Sequence, residues 1–311
     1  MEMEAVKKGV LQYILLVFGI LLLTASPALF GGNGSPSIQP AAFLGTLRDM
    51  LADLAKPHEL NYFVQSQTLS FPKVPENRTE VFHDVNTARP LFPQAMEPFL
   101  YSFSLLGGSL VLAVFLSAVC TLAVSRAAPF FKKNILRTAL LLEALPDVFF
   151  MFSVQLLVVW IFKETGWQPA YPYYTEEDPI FLLPLLALTI SPAIYLFRLQ
   201  LLLMEEEAEK DYYWFAKAKG LPDRQISLRH LFRNTIMESV IHLPVLITLL
   251  LANLVVLEFV FNCQGLMSLI ISDQPAAART LLLILLITPF YLVIKCAAHY
   301  RNRFYAGKEP A

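Results

Sequence analysis

Carboxylates inside apolar stretches are the groups in this chain most able to do chemistry. Glu143 and Asp147 stand four apart within the apolar stretch 138–162, and Glu258 stands near the end of another, 239–261. A charge held in hydrocarbon is costly and is usually retained for function. Two acids at one depth would suit a proton relay or an intramembrane protease. The protease needs a second aspartate on a separate apolar stretch. Asp273 is the late candidate, and it falls in a loop. No catalytic residue is therefore assigned, and the chain is not expected to be an enzyme. The competing reading places Glu143 near a cytoplasmic mouth, within reach of Arg137 or Lys133, and turns Asp147 toward a channel or a partner subunit. Glu258 has two open readings: it lines an intramembrane path, or it caps a backbone break before Asn262-Cys263-Gln264-Gly265.

The remaining reactive side chains point to little. His230 and His242 lack neighbours at ligand spacing and read as helix-face residues. Cys120, Cys263 and Cys296 are odd in number and far apart. They fit neither a disulfide framework nor a metal knuckle, and read as small apolar side chains buried in the packing. No phosphate-binding glycine loop is present, so ATP hydrolysis is not expected of this chain, and no cofactor or metal is implied.

The elements that must position these residues are membrane spans. The chain has 311 residues, of which 56% are hydrophobic and 16% charged. Soluble domains carry about 25% charged residues. The formal net charge is −1, which gives no reason to expect a nucleic-acid partner. Six stretches are long and apolar enough to cross a bilayer: 10–30, 99–125, 138–162, 180–203, 239–261 and 280–298. The first follows Lys7-Lys8 and is too long for a signal peptide, so residues 1–30 read as a short cytoplasmic segment and an uncleaved span. Residues 31–98 read as an exterior domain. Phe43, Leu44, Leu47, Leu51 and Leu54 give it one amphipathic helix. Its Asn33 and Asn77 triplets match a glycosylation pattern that also occurs by chance. Gly107 and Gly108 would allow close helix approach. Trp160 and Trp167, with Tyr171, Tyr173 and Tyr174, read as interfacial anchors.

Lysine and arginine set the orientation. With the N-terminus inside, Lys7, Lys8, the 126–137 link, the 198–233 region and the tail 299–311 face the cytoplasm, and these hold most of the 24 basic residues. Both termini are then cytoplasmic, in an all-α protein of the cell membrane.

The cytoplasmic loop 204–238 contains the most informative stretch, EEEAEKDYYWFAKAKGLPDRQISLRHLFRN at 205–234. Glu205, Glu206, Glu207, Glu209 and Asp211 crowd its start, which predicts a helix N-terminus. Lys217 and Lys219 precede Gly220 as a C-terminal cap, with Pro222 beyond. Tyr212, Ala216 and Gly220 share a face that would suit a groove on a partner. A second helix starts near Pro222. Leu228, Leu231, Phe232 and Thr235 form its less polar side, and Arg229 and Arg233 lie on another.

This stretch resembles the coupling loop of binding-protein-dependent ABC importer permeases of the oligopeptide/dipeptide type. The family pattern D-Y-x-x-x-A-x-A-K-G-L, then R-H-x-x-R-N, is matched by Asp211, Tyr212, Ala216, Ala218, Lys219, Gly220, Leu221, Arg229, His230, Arg233 and Asn234. Further likeness lies in LPDVFFMFSVQLLVVWIF from Leu145, in LLPLLALTISPAIYLFRLQ from Leu182 with Arg198, and in Glu258, Val260, Phe261, Gly265 and Leu266. The chain departs from the broader importer motif at Trp214, where a glutamate is usual, and lacks a proline after Asn234, where Met237-Glu238-Ser239 stand. The resemblance implies the type I importer permease fold, six transmembrane helices with an exterior insertion between the first two, and a permease core over 99–298. It implies that the loop couples to two cytoplasmic ABC ATPases, that a second and distinct permease completes the pore, and that an exterior binding protein delivers peptide. Asp147 and Glu258 are the candidates for the translocation path. The alternatives are a permease for another small solute such as a nickel chelate, or a non-transporting sensor or assembly subunit that keeps the docking loop.

Overall fold

A computed structural model describes residues 2–30, 38–70, 81–125, 127–174, 180–272 and 274–306. The Asn33 and Asn77 triplets and Asp273 lie outside these. In chain order the elements are α1 (Glu2–Ala25), a 3-10 turn (Ser26–Leu29), α2 (Pro40–Leu54), strands β1 (Asn61–Ser70) and β2 (Val81–Pro90), then α3 (Met96–Ser125), α4 (Pro129–Glu143), α5 (Asp147–Thr165) and α6 (Leu182–Glu209). They continue with α7 (Asp211–Ala218), α8 (Asp223–Ile226), a π-helical turn (Ser227–Leu231), α9 (Phe232–Ser239), a 3-10 turn (Val240–His242), α10 (Leu243–Val260), α11 (Leu266–Ile271) and α12 (Ala276–Ala306). Among the described residues, six helices are long and apolar enough to cross a membrane.

These helices do not coincide with the apolar stretches. The stretch 138–162 is divided between α4 and α5, with Ala144, Leu145 and Pro146 between them. Proline disfavours a helical residue before it, and Pro146 becomes the N-cap of α5. Glu143 and Asp147 therefore lie on separate helices, not four apart on one face. The apolar stretch 239–261 is the end of a longer run of helical turns that begins at Asp223. Pro244 falls in the first turn of α10, where its missing N–H costs nothing.

The chain forms two compact units, residues 1–100 with 269–289, and residues 101–268 with 290–311. In the first, α1 is tied by Tyr13 to Thr288 (2.8 Å) and by Thr24 to Thr280 (2.6 Å). The expected amphipathic helix is α2, which buries Met50 and leaves Leu44 and Leu51 exposed. Helical periodicity does not predict the antiparallel ribbon that follows it in the chain, in which Asn61 pairs with Pro90 and Ser70 with Val81. Its β-branched and aromatic residues favour a pleated pair.

In the second unit α6 packs against α4, α5, α9 and α10. Its buried residues recur every three to four positions, as in Leu188, Pro192, Leu196, Gln200 and Met204. The partner face on α3 is made of small residues, Ser109, Ala113, Ser117 and Thr121, which let two membrane helices approach. A Cβ at Gly108 would lie 2.9 Å from Leu185 Cδ1, whereas one at Gly107 meets nothing within 4 Å. Only one glycine of the pair is at a close approach. Of the cysteines, Cys263 is buried, but Cys120 and Cys296 are exposed. That corrects the expectation for two of the three: in a membrane span an apolar thiol is as well placed against lipid as against protein.

Candidate functional site

The apolar stretch ends near Leu203, but α6 continues to Glu209. Glu205, Glu206, Glu207 and Glu209 thus occupy its last turns, which corrects their placement at a helix start. Only Asp211 sits in a first turn, that of α7. A helix C-terminus disfavours negative charge. Three of the glutamates are exposed, and the fourth, Glu207, is 5% exposed.

Glu207 accepts hydrogen bonds from the Lys210 ammonium, the Tyr212 hydroxyl and Asn234 Nδ2, the last at 3.0 Å. Asn234 Nδ2 also lies 3.2 Å from the Tyr212 oxygen. One carboxylate therefore ties the end of α6 to α7 and α9. Hydrogen bonds to charged groups contribute about 1.5–3 kcal/mol each. The bond to Glu207 holds the Lys210 ammonium above the usual lysine value. Burial, and then the bond to Glu207, hold the Tyr212 phenol above its ordinary value. Both groups stay protonated donors at neutral pH.

Beneath this knot Met204, Ala216, Ile226 and Leu231 form a small core, with Ala208, Tyr212, Tyr213 and Leu221 packed against it. The turn after α7 is set by Gly220, whose φ of +77° favours glycine. The Gly220 N–H donates to the Lys217 carbonyl (3.0 Å) and the Leu221 N–H to the Ala216 carbonyl (3.3 Å). That is a Schellman ending, and Leu221 packs back on the core as the motif requires.

The face holding Tyr212 and Ala216 is turned inward, with Ala216 only 7% exposed. This corrects the expectation that it enters a partner: shared periodicity identified the face but not which side is covered. The outward face carries Trp214 and Phe215, 59% and 63% exposed. Lys219 Nζ stands 4.3 Å from the Phe215 ring centroid, and Lys217 Nζ stands 5.8 Å from the ring centroids of both Tyr213 and Trp214. Asp211, Ala218 and Arg229 are exposed as well, and His230 is half-buried in the π-helical turn. The Arg233 guanidinium lies 4.8 Å from the Phe304 ring, and Tyr305 donates to Glu238 at 2.7 Å, so the end of α12 clasps α9. The motif residues thus divide: Tyr212, Ala216, Leu221 and Asn234 build the elbow, and Asp211, Ala218, Lys219 and Arg229 form its surface.

The other candidates fall elsewhere. Glu258 is 2% exposed. It accepts from Ser102 Oγ (2.6 Å) and from the Ser268 N–H (2.8 Å), while the Leu266 N–H donates to Ser102 Oγ (2.8 Å). A Cβ at Gly265 would collide with its carboxylate. These bonds satisfy the orphan N–H groups at the start of α11, so of the two readings the geometry favours the cap over the path. Glu143 does not reach Arg137 or Lys133 as its pair; Arg198 of α6 holds it bidentately, with Nη2 to Oε1 at 3.0 Å. Asp147 is half-exposed in the first turn of α5, where the helix dipole favours it. His242 Nδ1 lies 3.3 Å from the Tyr195 hydroxyl.

Residues 113–303 match the family described as binding-protein-dependent transport system inner membrane component. The match covers more than half of the chain, and the chain belongs to this family. With its six apolar helices it is a multi-pass membrane transport component of bacterial type. Among particular relatives, the dipeptide transport system permease protein DppB of Bacillus subtilis (strain 168) is 34% identical over 96 residues, covering 30% of this chain and 31% of the relative. The glutathione transport system permease protein GsiC of Pectobacterium atrosepticum is 28% identical over 164 residues, covering 48% and 53%. GsiC of Escherichia coli (strain K12) is 26% identical over the same length and shares. The chain therefore spans between about a third and a half of the curated relatives it matches.

Proposed function

We propose that this chain is a permease subunit of an ATP-driven importer and that the elbow from Glu207 to Asn234 is its coupling element. The observation that carries this reading is the division of the elbow. A buried carboxylate fixes α7 and α9 to the end of α6, while Trp214, Phe215 and Lys219 are presented outward. A force applied to that surface has a stiff route into α6 and, through α9, into α10. The excess of lysine and arginine on this side supports a cytoplasmic position for it. Two ABC ATPases would dock there, a second permease would complete the pathway, and an exterior binding protein would deliver substrate, as family membership suggests. The substrate class is peptide, supported by relatives named for dipeptide and glutathione transport. Asp147 is retained as a path residue, and Glu258 as an architectural one.

The test replaces both Trp214 and Phe215 by aspartate in the tagged full-length chain, extracted in mild detergent with its co-purifying subunits. The reading expects the ATPase to be lost while the thermal midpoint of the chain is kept. Retention of the ATPase at wild-type stoichiometry would overturn it.

A further inference from the structure

We infer that α4 is a docking surface for anionic phospholipid headgroups. α3 and α5 are long and apolar enough to cross the membrane, and α4 is not among the helices that are. Its two ends are thus held at one membrane face by the spans on either side. α4 buries Ala139 and half-buries Ile135 and Leu136, and it packs on α6. Its opposite side is exposed and mixed. Phe130 and Leu141 are 71% and 72% exposed, and Lys133 and Arg137 are exposed between them.

These four recur at intervals of three, four and four residues, so they form one stripe along the helix. Aromatic and aliphatic side chains there would enter the acyl boundary, and the two cations would stand at phosphate level. The charge on the stripe is uncompensated. No aspartate or glutamate occurs between Glu97 and Glu143, and Glu143 is taken by Arg198 on the buried side. Among the described residues no ion pair involves Lys133 or Arg137. An apolar stripe facing neutral lipid would have no use for that pair of charges, and uncompensated cations beside exposed apolar side chains match an anionic headgroup carried on acyl chains. The inference rests on the cytoplasmic orientation used for the proposed function, because anionic lipid faces the cytoplasm.

The test places an environment-sensitive fluorophore at Leu141→Cys in the full chain, with Cys120→Ala and Cys296→Ala. The chain is set in nanodiscs of phosphatidylcholine containing phosphatidylglycerol, and either lipid carries a spin-label quencher. A second fluorophore position, Val111→Cys on the exposed face of α3, serves as reference. Two cations at the surface should enrich the anionic lipid up to roughly thirty-fold around Leu141. Quenching at Leu141 should therefore favour labelled phosphatidylglycerol, quenching at Val111 should not, and Lys133→Gln with Arg137→Gln should erase the preference. Equal quenching by both lipids would overturn the inference, and so would no quenching by either, which would mean a protein covers the stripe. Reaction of Lys133→Cys with an impermeant maleimide from outside intact cells would overturn the orientation, and with it the proposed function. The first two outcomes leave that function untouched.

Discussion

Glu207 and Glu258 are both buried carboxylates at a reversal of the chain, and they are held by different means. Glu207 collects side-chain donors, an ammonium, a phenol and an amide, brought to it by the residues around α7 and α9. Glu258 is held by the Ser102 hydroxyl and the backbone N–H groups of Ser268 and Met267, against a glycine that leaves room for it. The first arrangement is a joint between helices that ends in an exposed surface. The second is a closed cap, wholly inside its unit. Side chains can be exchanged one at a time at the joint, whereas the cap depends on the backbone path around Gly265.

The comparison can be broken by substitution, and the largest effect belongs to the cap. Glu258→Ala strands Ser102 Oγ and the Ser268 N–H, which should lower stability by about 3 kcal/mol, read as a fall in the detergent unfolding midpoint. An undiminished midpoint would put Glu258 back on the translocation path. Glu207→Ala removes the acceptor of the joint, but the half-exposed Lys210 ammonium regains water, so the net cost should be about 2 kcal/mol. A double-mutant cycle between Glu207→Ala and Asn234→Ala should show coupling of about 1 kcal/mol, and additivity would mean that the two side chains do not act together. Gly220→Ala has open space but a left-handed φ, so it should cost only about 1 kcal/mol, as backbone strain. Smallest of all, Trp214→Ser and Phe215→Ser should each stay within about 0.5 kcal/mol of the parent, since both rings are exposed.

The spans were legible because hydrocarbon thickness demands long apolar runs, and the elbow was legible from the spacing of Asp211 through Asn234. Three features were not. The glutamate run predicts a helix start because composition records charge but not where α6 stops. The Tyr212–Ala216 face could not be assigned inward from sequence because periodicity says which residues share a side, not which side has cover. In the sequence only its spacing of three from Lys210 sets Glu207 apart from its acidic neighbours. The ribbon β1–β2 leaves no mark in the helical spacing that reveals α2. The two readings of Glu258 stay equal in the sequence because Ser102, which donates to it, is 156 residues away.

All of this depends on the side of the membrane that the elbow occupies. Lys219→Cys, in a background with Cys120 and Cys296 replaced by alanine, can be exposed to a membrane-impermeant maleimide in intact cells and in inverted vesicles. Lys219 is exposed beside the Phe215 ring, so the thiol should label in inverted vesicles and stay unlabelled in intact cells. Labelling in intact cells would contradict the account, since an elbow outside the cell could not receive work from ATP.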